Sequence, residues 1–457
     1  MNVHRITQLT PSTPLRKGDY VLYWMQQSQR VDFNHALEFA IQKANQKRLP
    51  LVVLFCLIET YPDANQRHFH FMLEGLKETK SSLEQLGATF VFRLGDPLHV
   101  LNDYAKNIDT LVLDTGYLRH QRAWHLAVQS QFNDVLEIYS IESDAIVPVQ
   151  SAYPKAAYGA YVIRPTLHRM LPFYRDFVRL SLLEQKTKIG LPSDHPLDDV
   201  DALLKALAID HSVLPTPYFL PGHTQGIKRL NHFLKQDLWR YDQSNDPSLN
   251  ATSTLSMYLH FGQLSSLEVV EHTLAYATQN AVPNTVLDAF IEQLFVRREL
   301  AINYVYYQPL YDQFDHMTEP WAYQTMAHHQ HDPRPYRYTK NDYVHFQTHD
   351  PYFNAAMKQM VKTGYMHNYM RMYWAKKIIE WTPDYREAYH TILSLNNTYF
   401  IDGRDPNGYA GVAWCFGKHD RPWTQRSIFG SLRYMNQEGL KRKFDIDLYV
   451  EQMNQLM

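Results

Sequence analysis

The segment GYMHNYMRMYWAKKIIEW (residues 364–381) sets Arg371 among aromatic and apolar side chains and ends in two spaced indoles, Trp374 and Trp381. Twenty residues on, DGRDPNGY (402–409) reads as a Gly/Pro/Asp loop with a carboxylate, Asp402, at its start. A cation beside a redox ring favours its reduced, anionic form, and indoles can carry electrons to it. The two tryptophans are seven positions apart, about two helical turns on one face. Core aromatics take the same spacing, so both readings fit.

Three further stretches carry donor or charge patterns. TSTLSMYLHFG (252–262) places the hydroxyls of Thr252, Ser253 and Thr254, then Leu255 and Ser256, before an apolar helix start. Hydroxyls and free backbone N–H groups there suit a diphosphate; they equally suit a helix cap. In FIEQLFVRREL (290–300), helical spacing puts Gln293 and Arg297 on one face and Glu292 and Glu299 on another. That is a phosphate-facing edge or a solvated one. Residues 401–443 hold eight Lys/Arg against four Asp/Glu, a local excess of positive charge in a chain of net charge −2.

The elements that position these groups fall into two parts. Short apolar runs at 20–25, 51–58, 89–93, 110–114 and 135–140 alternate with helical stretches such as 34–45 and 69–86. Continuous apolar strands between helices predict a doubly wound parallel sheet in an α/β domain over 1–145. No G-x-G-x-x-G or Walker-type loop accompanies it, so a conventional dinucleotide or triphosphate site is excluded. Ligands bind at the carboxyl ends of such strands, which makes the polar loop 26–34 a candidate rim. Residues 146–197 read as a turn-rich linker. From 198 to 457 the spacing is helical, at 203–208, 226–235, 267–277, 285–304, 355–381 and 385–395, which predicts an all-α domain.

Bulk properties agree with two soluble domains. A chain of 457 residues is too long for one ordinary core. No apolar run is long enough to cross a bilayer and no secretory signal opens the chain. Cys56 and Cys415 are too few for a disulfide framework. A cytoplasmic or nuclear setting is expected. Thirty-two tyrosines and eight tryptophans fit a large aromatic core or an electron-carrying interior.

In joint order, YWMQQSQRVDFNHAL, TSTLSMYLHFGQLS, VRREL, THDPYFNAA, TGYMHNYMRMYWAKKIIEWT, DGRDPNGYAGVAW, HDRPW and FGSLRYM resemble the photolyase/cryptochrome family, most closely the class II cyclobutane pyrimidine dimer photolyases. The resemblance runs nearly end to end. It implies an α/β domain able to hold an antenna (a deazaflavin or a folate) and a helical domain holding bent FAD. It implies light-driven electron transfer from reduced, anionic FAD to a dimer flipped out of UV-damaged DNA, by a monomer without metal or membrane.

Site residues follow from the same resemblance. Tyr241, Thr252, Ser253, Thr254, Leu255 and Ser256 would cradle the ribityl and phosphates. Arg371 and Asp402 would form a salt bridge beside the flavin ring, and Asn396 would contact its N5. Gly403, Asp405, Asn407 and Gly408 would continue the pocket. Trp374 and Trp381 would belong to the relay that reduces resting FAD, with Tyr338 influencing that transfer. Gln293 and Trp414 would hold the lesion, and Arg297, Lys418, Arg421, Arg426, Arg433, Lys441, Arg442 and Lys443 would meet DNA. For the last three, a solvated basic face fits as well.

Two positions depart from the class II pattern. Gln293 stands where E-E-L carries its second glutamate; it donates and accepts but cannot supply a proton or change charge. Enzymes for the (6-4) photoproduct resemble this chain there, although His260 and His367 do not identify that chemistry. Phe353 stands where HDPLWNAA carries a tryptophan, which predicts an interrupted relay, with the side chain of Tyr352 pointing elsewhere. The alternatives to dimer repair are (6-4) repair and a blue-light photoreceptor without repair; the short stretch after KRK favours the enzyme.

Overall fold

A computed structural model describes residues 2–10, 17–175 and 180–456. Parts of the N-terminal stretch (11–16) and of the linker (176–179) lie outside them.

Six strands form one sheet: β1 (Ile6–Gln8), β2 (Tyr20–Trp24), β3 (Leu51–Leu57), β4 (Thr89–Leu94), β5 (Ile108–Asp114) and β6 (Glu137–Ile141), in the order β1-β6-β5-β2-β3-β4. β2 to β6 are parallel, whereas β1 runs antiparallel on β6. Three residues with no apolar run do not signal a strand, which is why β1 escapes the sequence pattern. Alternate side chains go to opposite faces. Val21 and Tyr23 join one core and Tyr20, Leu22 and Trp24 the other, so both faces are buried.

The strand order reverses between β2 and β5. There Asp114 accepts from Gln26 N (2.9 Å), Ser28 N (3.0 Å) and the Tyr23 hydroxyl (2.9 Å), shaping the loop after β2. A cavity of about 140 Å³ opens at these strand ends, with Gln26, Gln27, Gln29, Cys56, Tyr61 and Trp124 in its lining.

The rest is helical. The linker contains a helix, Ala160–Tyr174, whose interior prolines, Pro165 and Pro172, mask it in the sequence. The helix expected over 355–381 is two helices, Pro351–Thr363 and Asn368–Trp381. Gly364 ends the first at φ 74°, and a Cβ there would lie 2.5 Å from Ile401 Cγ1. The helix expected over 285–304 is Asn284–Ile291 and Arg298–Tyr307, joined by a π-turn, Glu292–Arg297. Helix Val200–Ala206 packs its leucines into the sheet core rather than into the helical part.

Candidate active site

Helix Asn368–Trp381 runs through the largest apolar cluster among the described residues and carries Arg371, Trp374 and Trp381. Arg371 Nη2 donates to both oxygens of Asp402 (3.1 Å each), and its Nε donates to Met366 O (3.1 Å). The guanidinium also lies 3.9 Å from the Phe400 ring centroid. Such a pair must form together, because either charge alone in a half-buried site is costly. Asn396, from helix Tyr385–Tyr399, is buried and donates its Nδ2 to Asn397 Oδ1 (3.0 Å). Its own carbonyl oxygen remains as an acceptor. Gly403 and Gly408 give these groups room. A Cβ on Gly403 would meet Asn396 O at 2.8 Å, and one on Gly408 would meet Asn396 Nδ2 at 3.0 Å. Asp405 caps helix Pro406–Cys415 through Asn407 N and is hydrogen-bonded to His260 Nδ1 (3.1 Å). Burial opposes its ionisation, but His260 and Arg298 outweigh burial and hold the carboxyl below its ordinary range.

The hydroxyl segment is not a helix cap. Helix Ser256–His260 begins after Leu255, which caps it without a side-chain bond. Thr252 is hydrogen-bonded to the Tyr365 hydroxyl (2.9 Å), and Thr254, at φ 50°, accepts from Arg229 Nη1 (2.7 Å). Ser253 and Ser256 hold no side-chain partner among the described residues. Tyr241 stands edge-on to Phe290 at 5.0 Å. Free hydroxyls with a guanidinium form a donor set that fits a diphosphate, and an arginine–carboxylate pair beside an amide fits a flavin ring. Arg229 and Tyr365 were missed in the sequence, where neither belongs to a recognisable motif of donors.

Trp374 and Trp381 are both buried. Trp374 stands 6.2 Å from Phe400, which itself lies under Arg371, and donates Nε1 to Met357 Sδ (2.9 Å). Trp381 meets Phe353 at 4.9 Å and Tyr338 at 5.1 Å. Tyr338 is hydrogen-bonded to His349 Nδ1 (2.7 Å). Tyr352 turns away and donates to Asp447 (2.9 Å). Phe353 thus stands against Trp381 together with Tyr338 and Tyr343, the last stacked at 6.3 Å. His367 caps the helix from a buried position, where desolvation lowers its pKa to about 4 and keeps it neutral.

Not every expected rim cation is free. Lys418 is buried and paired with Glu319 (2.6 Å). Arg297 is exposed, but the π-turn brings its Nε to Glu292 five residues back (2.9 Å), and Arg164 clamps the same carboxylate with two 2.8 Å bonds. Glu299 does not share Glu292's surroundings. It is buried against Ile146 N (2.7 Å), and burial pushes its pKa up to about 8. Lys441 faces Tyr352. By contrast, Arg426, Arg433, Arg442 and Lys443 line one groove of about 410 Å³ with Trp423. Arg433 lies 5.2 Å from the Trp414 ring and 5.3 Å from Trp423, while Arg421 faces Trp423 at 5.7 Å. Trp423 is 42% exposed and held by Asp420 through Nε1 (3.2 Å). It lies within HDRPW, yet only its exposure among cations marks it for a role. Gln293 is exposed on the π-turn.

A family model for DNA photolyase matches residues 21–182. A deoxyribodipyrimidine photo-lyase of Methanothermobacter thermautotrophicus is 41% identical, over 100% of this chain and 99% of its own length. A protein of the same name from Arabidopsis thaliana is 37% identical over 96% of this chain and 89% of its own. The solved structure of a class III photolyase from Agrobacterium tumefaciens superposes with a TM-score of 0.71, covering 97% of this chain and 87% of that one; at 19% identity the likeness is one of fold. Identity at this level from end to end means that the chain belongs to the DNA photolyase family.

Proposed function

We propose that the chain repairs cyclobutane pyrimidine dimers in UV-damaged DNA under blue or near-UV light, as a class II enzyme working as a monomer in the cytoplasm or nucleus. When bound, reduced FAD would supply the light-driven electron that opens the two bonds joining the pyrimidines. The protein's part is to hold and orient. Arg371, Asp402 and Asn396 would hold the ring, and Ser253, Ser256, Thr254 and Arg229 would take the diphosphate. Trp414 forms a wall for the extruded bases, and Gln293 donates to and accepts from their edges. Arg421, Arg426, Arg433, Arg442 and Lys443 bind phosphates around the opening. We take residues 1–145 as the antenna unit, 146–197 as the linker and 198–457 as the flavin unit.

The sheet-domain cavity is the proposed antenna site. Gln26 Nε2, Gln27 Oε1, Gln29 Oε1 and Arg404 Nη2 are buried without partners, and all four residues line it. Unpaired buried polar atoms are costly, and the edge of a deazaflavin or a folate would satisfy them. Among the described residues no helix is long and apolar enough to cross a membrane.

The observation that carries the main reading is the Arg371–Asp402 pair, with Phe400 between Arg371 and Trp374 of the same helix and Asn396 beside Gly403. Gln293 favours a second reading, repair of (6-4) photoproducts. Illumination of the chemically reduced holoprotein with duplexes carrying either lesion separates them. Restoration of the paired thymines within the strand from the cyclobutane dimer alone is expected. Restoration from the (6-4) substrate alone would establish the second reading, and restoration from neither would mark a photoreceptor.

A further inference from the structure

The linker carries two exposed tyrosines that the site above does not use. Tyr158 is 42% and Tyr161 65% exposed, and their rings meet edge to face at 6.5 Å. They are not on a loose loop. The fully buried Asn303 accepts from Ala157 N (2.8 Å) and donates to Tyr153 O (3.2 Å) and Lys155 O (3.0 Å), pinning the turn before them. His419 Nδ1 bonds Tyr158 O (2.8 Å), and the Tyr158 hydroxyl donates to Asp420 O (3.4 Å). Asp420 is the residue that holds Trp423. One turn along the linker helix, Arg164 is joined through Glu292 to Arg297, beside Gln293. The tyrosines therefore extend the lesion rim without a break. Residues 153–175 contain Lys155, Arg164, Arg169 and Arg175 and no acidic residue; Arg164 and Arg175 are paired with Glu292 and Glu271, which leaves Lys155 and Arg169 to meet a polyanion.

Extruding a dimer leaves the two bases across from it without partners. Exposed aromatic rings on a cationic surface are a stacking platform for unpaired bases. Resting on the dimer-repair reading, we propose that Tyr158 and Tyr161 form a second wall of the site, one that receives the bases of the strand opposite the lesion.

The test compares holoprotein binding to a dimer in duplex and in single-stranded oligonucleotides, with 2-aminopurine opposite the dimer in the duplex. Tyr158→Ala/Tyr161→Ala should lower the ratio of duplex to single-strand affinity about fivefold or more and brighten the 2-aminopurine. Tyr158→Phe/Tyr161→Phe, which keeps both rings, should retain the wild-type ratio and the quenched probe. An unchanged ratio in the alanine variant would overturn the proposal. So would an equal loss in the phenylalanine variant, since the hydroxyl bond to Asp420 would then be what matters. Failure of wild type to bind the single-stranded dimer would instead count against the dimer-repair reading itself.

Discussion

The two sides of helix Asn368–Trp381 differ in completeness. On the Arg371 side the guanidinium meets Asp402, Met366 O and the ring of Phe400. On the tryptophan side helix Pro351–Thr363 sets Met357 against Trp374 and Phe353 against Trp381. No described ring contact joins the two indoles. On the proposed function the first side would hold the reduced flavin and the second would refill it with electrons, so the contrast predicts that repair and light-driven activation are separable.

Four substitutions break or sharpen this contrast. Arg371→Leu strikes the complete side and has the largest expected effect. It strands Asp402, at a cost of roughly 2–3 kcal/mol, below that of a fully buried pair because Arg371 is partly exposed; equilibrium dialysis of FAD should show about a hundredfold weaker retention. Phe353→Trp repairs the incomplete side. Flash photoreduction of oxidised FAD should quicken at least about tenfold, equivalent to about 1.4 kcal/mol, while repair by chemically reduced protein stays at the wild-type rate. Equal rates in both proteins would mean that the relay is not interrupted at Phe353.

Lys376 lies on the same helix, buried, donating to Cys415 O without an ion pair among the described residues. Burial lowers its pKa to about 8. The folded state therefore bears a costly charge below pH 8. Between about 8 and the ordinary lysine value the unfolded chain holds the extra proton, so stability rises with pH, by at most about 1.4 kcal/mol per unit. Melting curves should show that rise in wild type and its absence in Lys376→Met. Gln293→Glu, away from this helix, is the smallest: dimer affinity should change by less than about tenfold, the range of one hydrogen bond, in a filter-binding assay.

Legibility followed physical locality. The strands β2 to β6 were readable because their apolar runs are continuous, and the Arg371–Asp402 pair because motif order carried it. Helix Ala160–Tyr174 was hidden by its prolines, and the break at Gly364 by apolar spacing that continues across it. The π-turn redirects Arg297 without a compositional sign. Lys418 looked like its basic neighbours because its partner, Glu319, lies 99 residues away in the chain. Long-range pairing of charges is what a single sequence does not display.

The most direct test of the account illuminates oxidised and dithionite-reduced holoprotein side by side with dimer-containing duplex and follows restoration of the two thymines within the strand. Prompt restoration by the reduced sample, with the oxidised one near the dark background until reductant is added, is the predicted result. Equal restoration by both, or none by the reduced sample, would contradict it.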